Sequence, residues 1–290
     1  MSRVPIGVSG ALVMRPLIWS VMAAIVLGVS TPSGAAAVDR YPQAASAYAV
    51  VIDGRLVWAR AFDTPRAPAS LTKLISALVL LEAGVDGDAL VAVDREAAAA
   101  VGSRAGLRMG EVLTFGDALT AMLVSSANDA CMALVAHVSR GGEDFAVRMN
   151  ERARALGMTS SHFVQPCGLD AAGQQTTARD LLRLAAAAIA NPEISSRALR
   201  PNAVISTIAG RRIELTASNL LLGREPGLLG LKSGFTNKAG KCLLAVARRG
   251  DHTVWIVLLD APNRWWLATG MLHDAFEYAA TPMLAREPVH

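Results

Sequence analysis

Ser70 and Lys73 stand three residues apart at the head of an apolar run, "APASLTKLISALVLLE", residues 67–82. On a helix, positions i and i+3 share a face, so hydroxyl and amine can meet. A serine in the first helical turn also lies where unpaired backbone N–H groups and the positive end of the dipole converge. Its own N–H can then donate to a developing oxyanion. A poorly solvated lysine can shed its proton and serve as general base, which an arginine cannot do. The choice of lysine is informative, because the chain has 28 Lys+Arg and only Lys73, Lys232, Lys238 and Lys241 are lysines. Alone, though, Ser-x-x-Lys is a short pattern that an ordinary helix start also produces.

Two more polar groups could act with it. In "LVSSANDACMALVA", residues 123–136, a polar knot separates two apolar stretches. Ser126 or Asn128 could simply cap a helix. As a Ser-x-Asn site, Ser126 would pass a proton between Lys73 and a leaving group, and the Asn128 amide would hold a substrate amide. In "GLLGLKSGFTNKAG", residues 227–240, Lys232, Ser233 and Gly234 follow one another on a strand. The glycine lets another backbone approach, and the ammonium and hydroxyl offer an anchor for a carboxylate. A charge protecting an edge strand is the plainer account. Lys238 and Lys241 read as surface residues.

These groups need elements to hold them. "AYAVVIDGRLVWARAF", residues 47–62, is a β-hairpin about Asp53-Gly54. A helix begins near Pro68, favoured in a first turn, and ends towards Gly84. From there to Ala190 the chain reads mainly helical, interrupted by glycines and by the "PCGLDAAGQQ" loop. Period two returns after Pro192: a hairpin about Gly210, then three antiparallel strands over 230–236, 241–250 and 253–260. "RWWLATGMLHDAFEYAA" closes as a helix, with Trp265 and Trp266 read as packing residues. The expected fold is α/β of the α+β kind, an antiparallel sheet built from both termini, flanked by helices, with a helical subdomain inserted between.

Composition narrows the class. Hydrophobic residues make up 52% and charged residues 18% of the 290 residues, which suits a globular chain. The formal charge of +4 is spread without a basic stripe, so no nucleic-acid partner is expected. The five histidines are scattered away from the cysteines, so no metal site is expected. Residues 1–37 carry two arginines, an apolar run at 17–29 and a small-residue stretch at 35–37, the layout of a cleaved secretory signal. About 13 apolar residues fall short of the roughly 20 that span a bilayer, so no stable membrane anchor is expected. Cys131, Cys167 and Cys242 are an odd set. One disulfide is possible, but the preferred reading makes all three small buried hydrophobes.

Ser-x-x-Lys, Ser-x-Asn and Lys-Ser-Gly, in that order, are the trio of penicillin-binding proteins and class A β-lactamases. With "GLRMGEVLT" and the final "NRW" helix, the chain resembles the serine-type D-alanyl-D-alanine carboxypeptidases, the low-molecular-mass penicillin-binding proteins, over roughly residues 40–280. The resemblance implies a DD-peptidase/β-lactamase-like fold, with a catalytic domain at 38–282 and a short tail at 283–290. It implies removal of the terminal D-Ala from peptidoglycan stem pentapeptides through an acyl-enzyme on Ser70, with β-lactams as covalent inhibitors, no cofactor, and a periplasmic location. Lys73 would be the base, Ser126 the relay and Asn128 a substrate-positioning group. Lys232 would orient Ser126 and, with Ser233, Gly234 and Thr236, receive the terminal carboxylate. The N–H groups of Ser70 and Phe235 would form the oxyanion hole.

Two departures stand out: the family usually has Thr at position 233, and Cys167 replaces a more usual polar residue, a change expected to bear on substrate preference. Endopeptidase action on cross-links is the alternative activity. A β-lactamase would need the Glu-x-x-Leu-Asn loop, which is absent, and a penicillin sensor would need a full membrane span.

Overall fold

The computed structural model describes residues 37–139 and 142–281. The segment read as an export signal, Ala37 apart, and the tail at 283–290 lie outside them. Strands β1 (Ala47–Ile52) and β2 (Arg55–Arg60) form the first hairpin. Asp53 and Gly54 take φ of 49° and 81°, the double positive turn whose twist matches flanking strands. Strands β7 (Leu228–Thr236), β8 (Gly240–Arg249) and β9 (His252–Leu259) come from the other end of the chain. All five join in one antiparallel sheet of order β2-β1-β9-β8-β7. The expected union of the two termini is therefore present, and β7 is an edge.

Alternation along the strands sorts the core into two layers. Tyr48, Val50, Ile52, Ala245, Val254, Ile256 and Leu258 meet the closing helix α8 (Arg264–Ala280). Ala49, Val51, Leu244, Val246, Trp255 and Val257 face the helical side. Both faces are covered, so β1 is buried at every position, unlike a half-solvated sheet. Trp265 is half-buried beneath the Arg264 guanidinium, 4.4 Å from its ring centre. Trp266 is 84% exposed, which corrects the expectation that both tryptophans pack.

On the helical side, a 3₁₀ turn at Ala69–Thr72 leads into α1 (Lys73–Glu82). The span from 85 to 190 is less helical than expected. It contains a small sheet of β3 (Leu90–Ala92) and β4 (Val112–Thr114). Between them lie α2 (Arg95–Ala98) and a glycine-punctuated loop. Three-residue strands are too short for a period-two signal to emerge. Helices α3 (Phe115–Val124), α4 (Asn128–Val138), α5 (Gly142–Ala155), α6 (Ala178–Ala190) and α7 (Pro192–Ala198) follow. The second expected hairpin is β5 (Asn202–Ser206) with β6 (Arg212–Thr216).

Candidate active site

The nucleophile candidate sits in the 3₁₀ turn, three residues before α1 begins at Lys73. Ala69, just before Ser70, has φ +49°, a strained setting for a residue with a Cβ. The edge strand presses on this turn: a Cβ on Gly234 would stand 2.7 Å from Ser70 N. That closeness is why no larger residue fits at 234, as the Lys-Ser-Gly run suggested. A loop at 163–175 closes from the other side. Gly168 has φ +81°, and a Cβ there would meet Ala69 O at 2.2 Å.

Lys73 heads α1 with no exposed surface. Its Nζ lies 3.1 Å from Ser70 Oγ, 2.6 Å from Asn128 Oδ1 and 2.5 Å from the Cys167 backbone oxygen. Burial pulls its pKa from 10.5 to about 7, and the nearby Asp129 carboxylate partly offsets that fall. The geometry has a chemical consequence. Asn128 Oδ1 and Cys167 O can only accept hydrogen bonds. In the neutral amine they claim both hydrogens, which leaves the lone pair directed at the Ser70 hydroxyl. Asp129, buried, accepts from the N–H groups of Ala105, Gly106 and Leu107 and so pins the long loop to the start of α4.

Asn128 has partners of its own within the protein. Its Oδ1 is engaged by Lys73 and its Nδ2 donates to Val101 O at 2.6 Å, so both ends of the amide are occupied within the protein. The amide thus ties the Lys73 amine to the loop around Val101, with a second Nδ2 hydrogen beyond these two bonds. Ser126 is 3% exposed with φ +63°, a second strained residue, in the turn that leads into α4. Among the described residues, no hydrogen bond joins Ser126 to Lys73 or Lys232. Lys232 donates instead to Ser233 O at 2.8 Å and to Ser218 Oγ at 3.4 Å, so the expected orientation of Ser126 by Lys232 is not seen.

Lys232 is also fully buried, and its pKa is pushed well down, first by burial and then by the positive charges of Lys73 and Arg264. Ser233 donates to Ser218 O at 2.8 Å. Thr236 donates to Asp170 Oδ1 at 2.6 Å. Arg264 grips the backbone oxygens of Gly234 and Cys242 from below. Phe235 turns its ring outward, 58% exposed, while its backbone runs along the edge beside the Ser70 turn. Ser218, Asp170 and Arg264 were not singled out in the sequence. Ser218 and Asp170 are common residues in unremarkable contexts, and Arg264 stands in the "NRW" stretch without a role apparent from it, so only distance to the strand reveals them. Cys131 and Cys167 are paired in a disulfide, contrary to the preferred reading of three free thiols. Thirty-six residues separate them, and only the packing of α4 on the loop brings them together. Cys242 is buried and free, and burial raises its thiol pKa to about 11.

A five-stranded antiparallel sheet flanked by helices, with a Ser–Lys pair against its edge and the lysine buried, is the arrangement of the DD-peptidase and β-lactamase class. The chain belongs to the D-alanyl-D-alanine carboxypeptidase family, peptidase S11, whose pattern it matches over residues 35–263. It is 32% identical to D-alanyl-D-alanine carboxypeptidase DacB2 of Mycobacterium tuberculosis, over 79% of this chain and 78% of that protein. It is 30% identical to a D-alanyl-D-alanine endopeptidase of Pseudomonas aeruginosa, over 84% of each. Among solved structures, penicillin-binding protein D2 of Listeria monocytogenes, in its ampicillin-bound form, superimposes with a TM-score of 0.70. That match is 31% identical and covers 81% of this chain and 98% of that one.

Proposed function

We propose that residues 38–282 form a serine D-alanyl-D-alanine carboxypeptidase that trims peptidoglycan stem pentapeptides through an acyl-enzyme on Ser70. One observation carries the assignment of roles: the Lys73 amine is buried, which draws its pKa down to about 7, and two pure acceptors orient it towards Ser70 Oγ. In acylation the Ser70 proton passes to Lys73 as Oγ attacks the carbonyl carbon of the penultimate D-Ala. The developing oxyanion is received by the N–H groups of Ser70 and Phe235. The C–N bond then breaks, the D-Ala amine takes a proton by way of Ser126, and water later hydrolyses the ester. Lys232, with Ser233, Gly234 and Thr236 lining its strand, receives the terminal carboxylate. Asn128 holds Lys73 in the resting site, and the second Nδ2 hydrogen, beyond the one given to Val101 O, is the donor it offers the substrate amide.

The same site would be acylated by β-lactams, which present an amide carbonyl near a carboxylate. The relative named an endopeptidase favours an assay of cross-linked peptides beside the pentapeptide. Export with cleavage near Ala37 suits a disulfide, which persists in oxidising compartments. No helix among the described residues is long and apolar enough to cross a membrane.

Intact-mass spectrometry after adding benzylpenicillin is the direct test. An adduct of one drug mass that persists is expected, and Ser70→Ala should abolish it without changing the thermal melt. An adduct that vanishes while drug is consumed would mean a β-lactamase. Labelling of the alanine variant would mean a different nucleophile.

A further inference from the structure

The two acceptors that orient Lys73 belong to different elements. Asn128 opens α4, and Cys167 lies in the loop at 163–175. Cys131 stands three residues after Asn128, on the same face of α4. Its sulfur is bonded to that of Cys167, with Cα atoms 5.9 Å apart, and both residues have no exposed surface. One covalent bond thus joins the turn that carries the first acceptor to the residue whose own backbone oxygen is the second.

The rest of the loop is held by other means. Ser76, one turn along α1 from Lys73, donates to Pro166 O at 2.6 Å. Gln165 Oε1 accepts from the N–H groups of Cys167 and Leu169, and Gly168 is wedged against Ala69. Those contacts tie the loop to itself and to the nucleophile's turn. The disulfide ties it to α4. Cys242, buried elsewhere without a sulfur partner, makes clear that this chain also uses cysteine as a plain apolar side chain.

We propose that the Cys131–Cys167 disulfide is a positioning element for acylation, holding Asn128 Oδ1 and Cys167 O at the separation that aims the Lys73 lone pair at Ser70. The inference rests on the reading of Ser70 and Lys73 as nucleophile and base. Without the bond, α4 and the loop can part and admit water to Lys73. The amine then loses its fixed direction and part of the desolvation that keeps it neutral. A disulfide that merely shortens the unfolded chain's freedom would change the melting temperature alone.

The test compares wild type with Cys131→Ala/Cys167→Ala and the bulkier Cys131→Ser/Cys167→Ser. For each, the benzylpenicillin acylation rate is measured across pH, with kcat and KM for a peptide ending in D-Ala-D-Ala, beside a thermal melt. Both double variants should acylate more slowly by about tenfold or more, the scale of a misaligned reacting group. The loss should fall on kcat, with KM within about twofold. The acid limb of the acylation profile should move to higher pH, because a better-solvated Lys73 keeps its proton longer.

Lowered melting with unchanged rate and unchanged pH profile would overturn the inference. So would double variants that fail to fold, since the bond would then serve the whole fold and not the site. Thiol titration of denatured, unreduced wild type should find one free thiol, and three would also overturn it. If wild type itself forms no penicillin adduct, the Ser70 reading fails first and carries the inference down with it.

Discussion

The site contains two fully buried lysines, and their surroundings differ in kind. Lys73 has a nearby carboxylate, Asp129, that partly repays its burial, and its partners come from three separate elements. Lys232 has no such relief: burial, Lys73 and Arg264 all push against its charge. Its hydrogen-bond partners are its own strand neighbour Ser233 and Ser218 of the preceding segment. The difference fits the two proposed roles. Lys73 sits where the proton is easily given up and taken back, as the proposed base requires. Lys232 sits where burial and its basic neighbours oppose its charge, a setting that suits the proposed role of meeting a carboxylate. Burying a cation without a paired anion is costly, and under the proposed function the substrate carboxylate is the anion that would favour the charged form of Lys232.

Exchanging the base should break the contrast most severely. Lys73→Arg keeps the charge but cannot lose it, so kcat/KM should fall by about 10³-fold or more, within the range of lost general-base catalysis. A variant within tenfold of wild type would show that Lys73 is not the base. The wild-type rate should also rise with pH through a midpoint near 7, the depressed Lys73 value, falling about tenfold per pH unit below it. The same shift acts on stability. Unfolded lysine keeps its proton to about 10.4 while the folded site releases it near 7, so the unfolded chain binds more protons. Stability therefore increases as pH rises between those values.

The other half of the comparison is sharpened by Lys232→Met. Losing a charge-assisted anchor costs about 1.5–3 kcal/mol, so kcat/KM for a peptide ending in a free carboxylate should drop by roughly tenfold to a hundredfold. The same peptide ending in an amide should lose far less. Equal losses on both substrates would remove the carboxylate from the account. Ser218→Ala should have the smallest effect. It removes the hydroxyl that meets Lys232 and Ser233 but keeps the backbone oxygen that Ser233 also uses. A rise in KM of about threefold to tenfold, matching one neutral hydrogen bond, is expected in steady-state kinetics.

Much of the fold was legible in local patterns. The Asp53-Gly54 turn, the period-two strands at both ends and the apolar run after Lys73 specify their elements through steric and burial rules that act over a few residues. The Ser–Lys pair was legible for the same reason, since i,i+3 spacing decides proximity without further help. The β3–β4 pair was missed because three residues carry too little periodicity. Asn128 is legible as a site residue from its motif, but its bonds to Lys73 and Val101 are not, because they depend on where distant parts of the chain arrive.

By itself, then, the sequence determined which residue types could do acyl-transfer chemistry, their order, and the elements carrying them. Tertiary structure alone decided that Lys73 loses its charge readily, because desolvation is a property of everything packed around a group and not of its neighbours in sequence. It alone paired Cys131 with Cys167 and left Cys242 free, because thiol pairing follows Cα separation in space. It also brought Ser218, Asp170 and Arg264 to the edge strand, where contacts between residues far apart in the chain turn three motifs into one site.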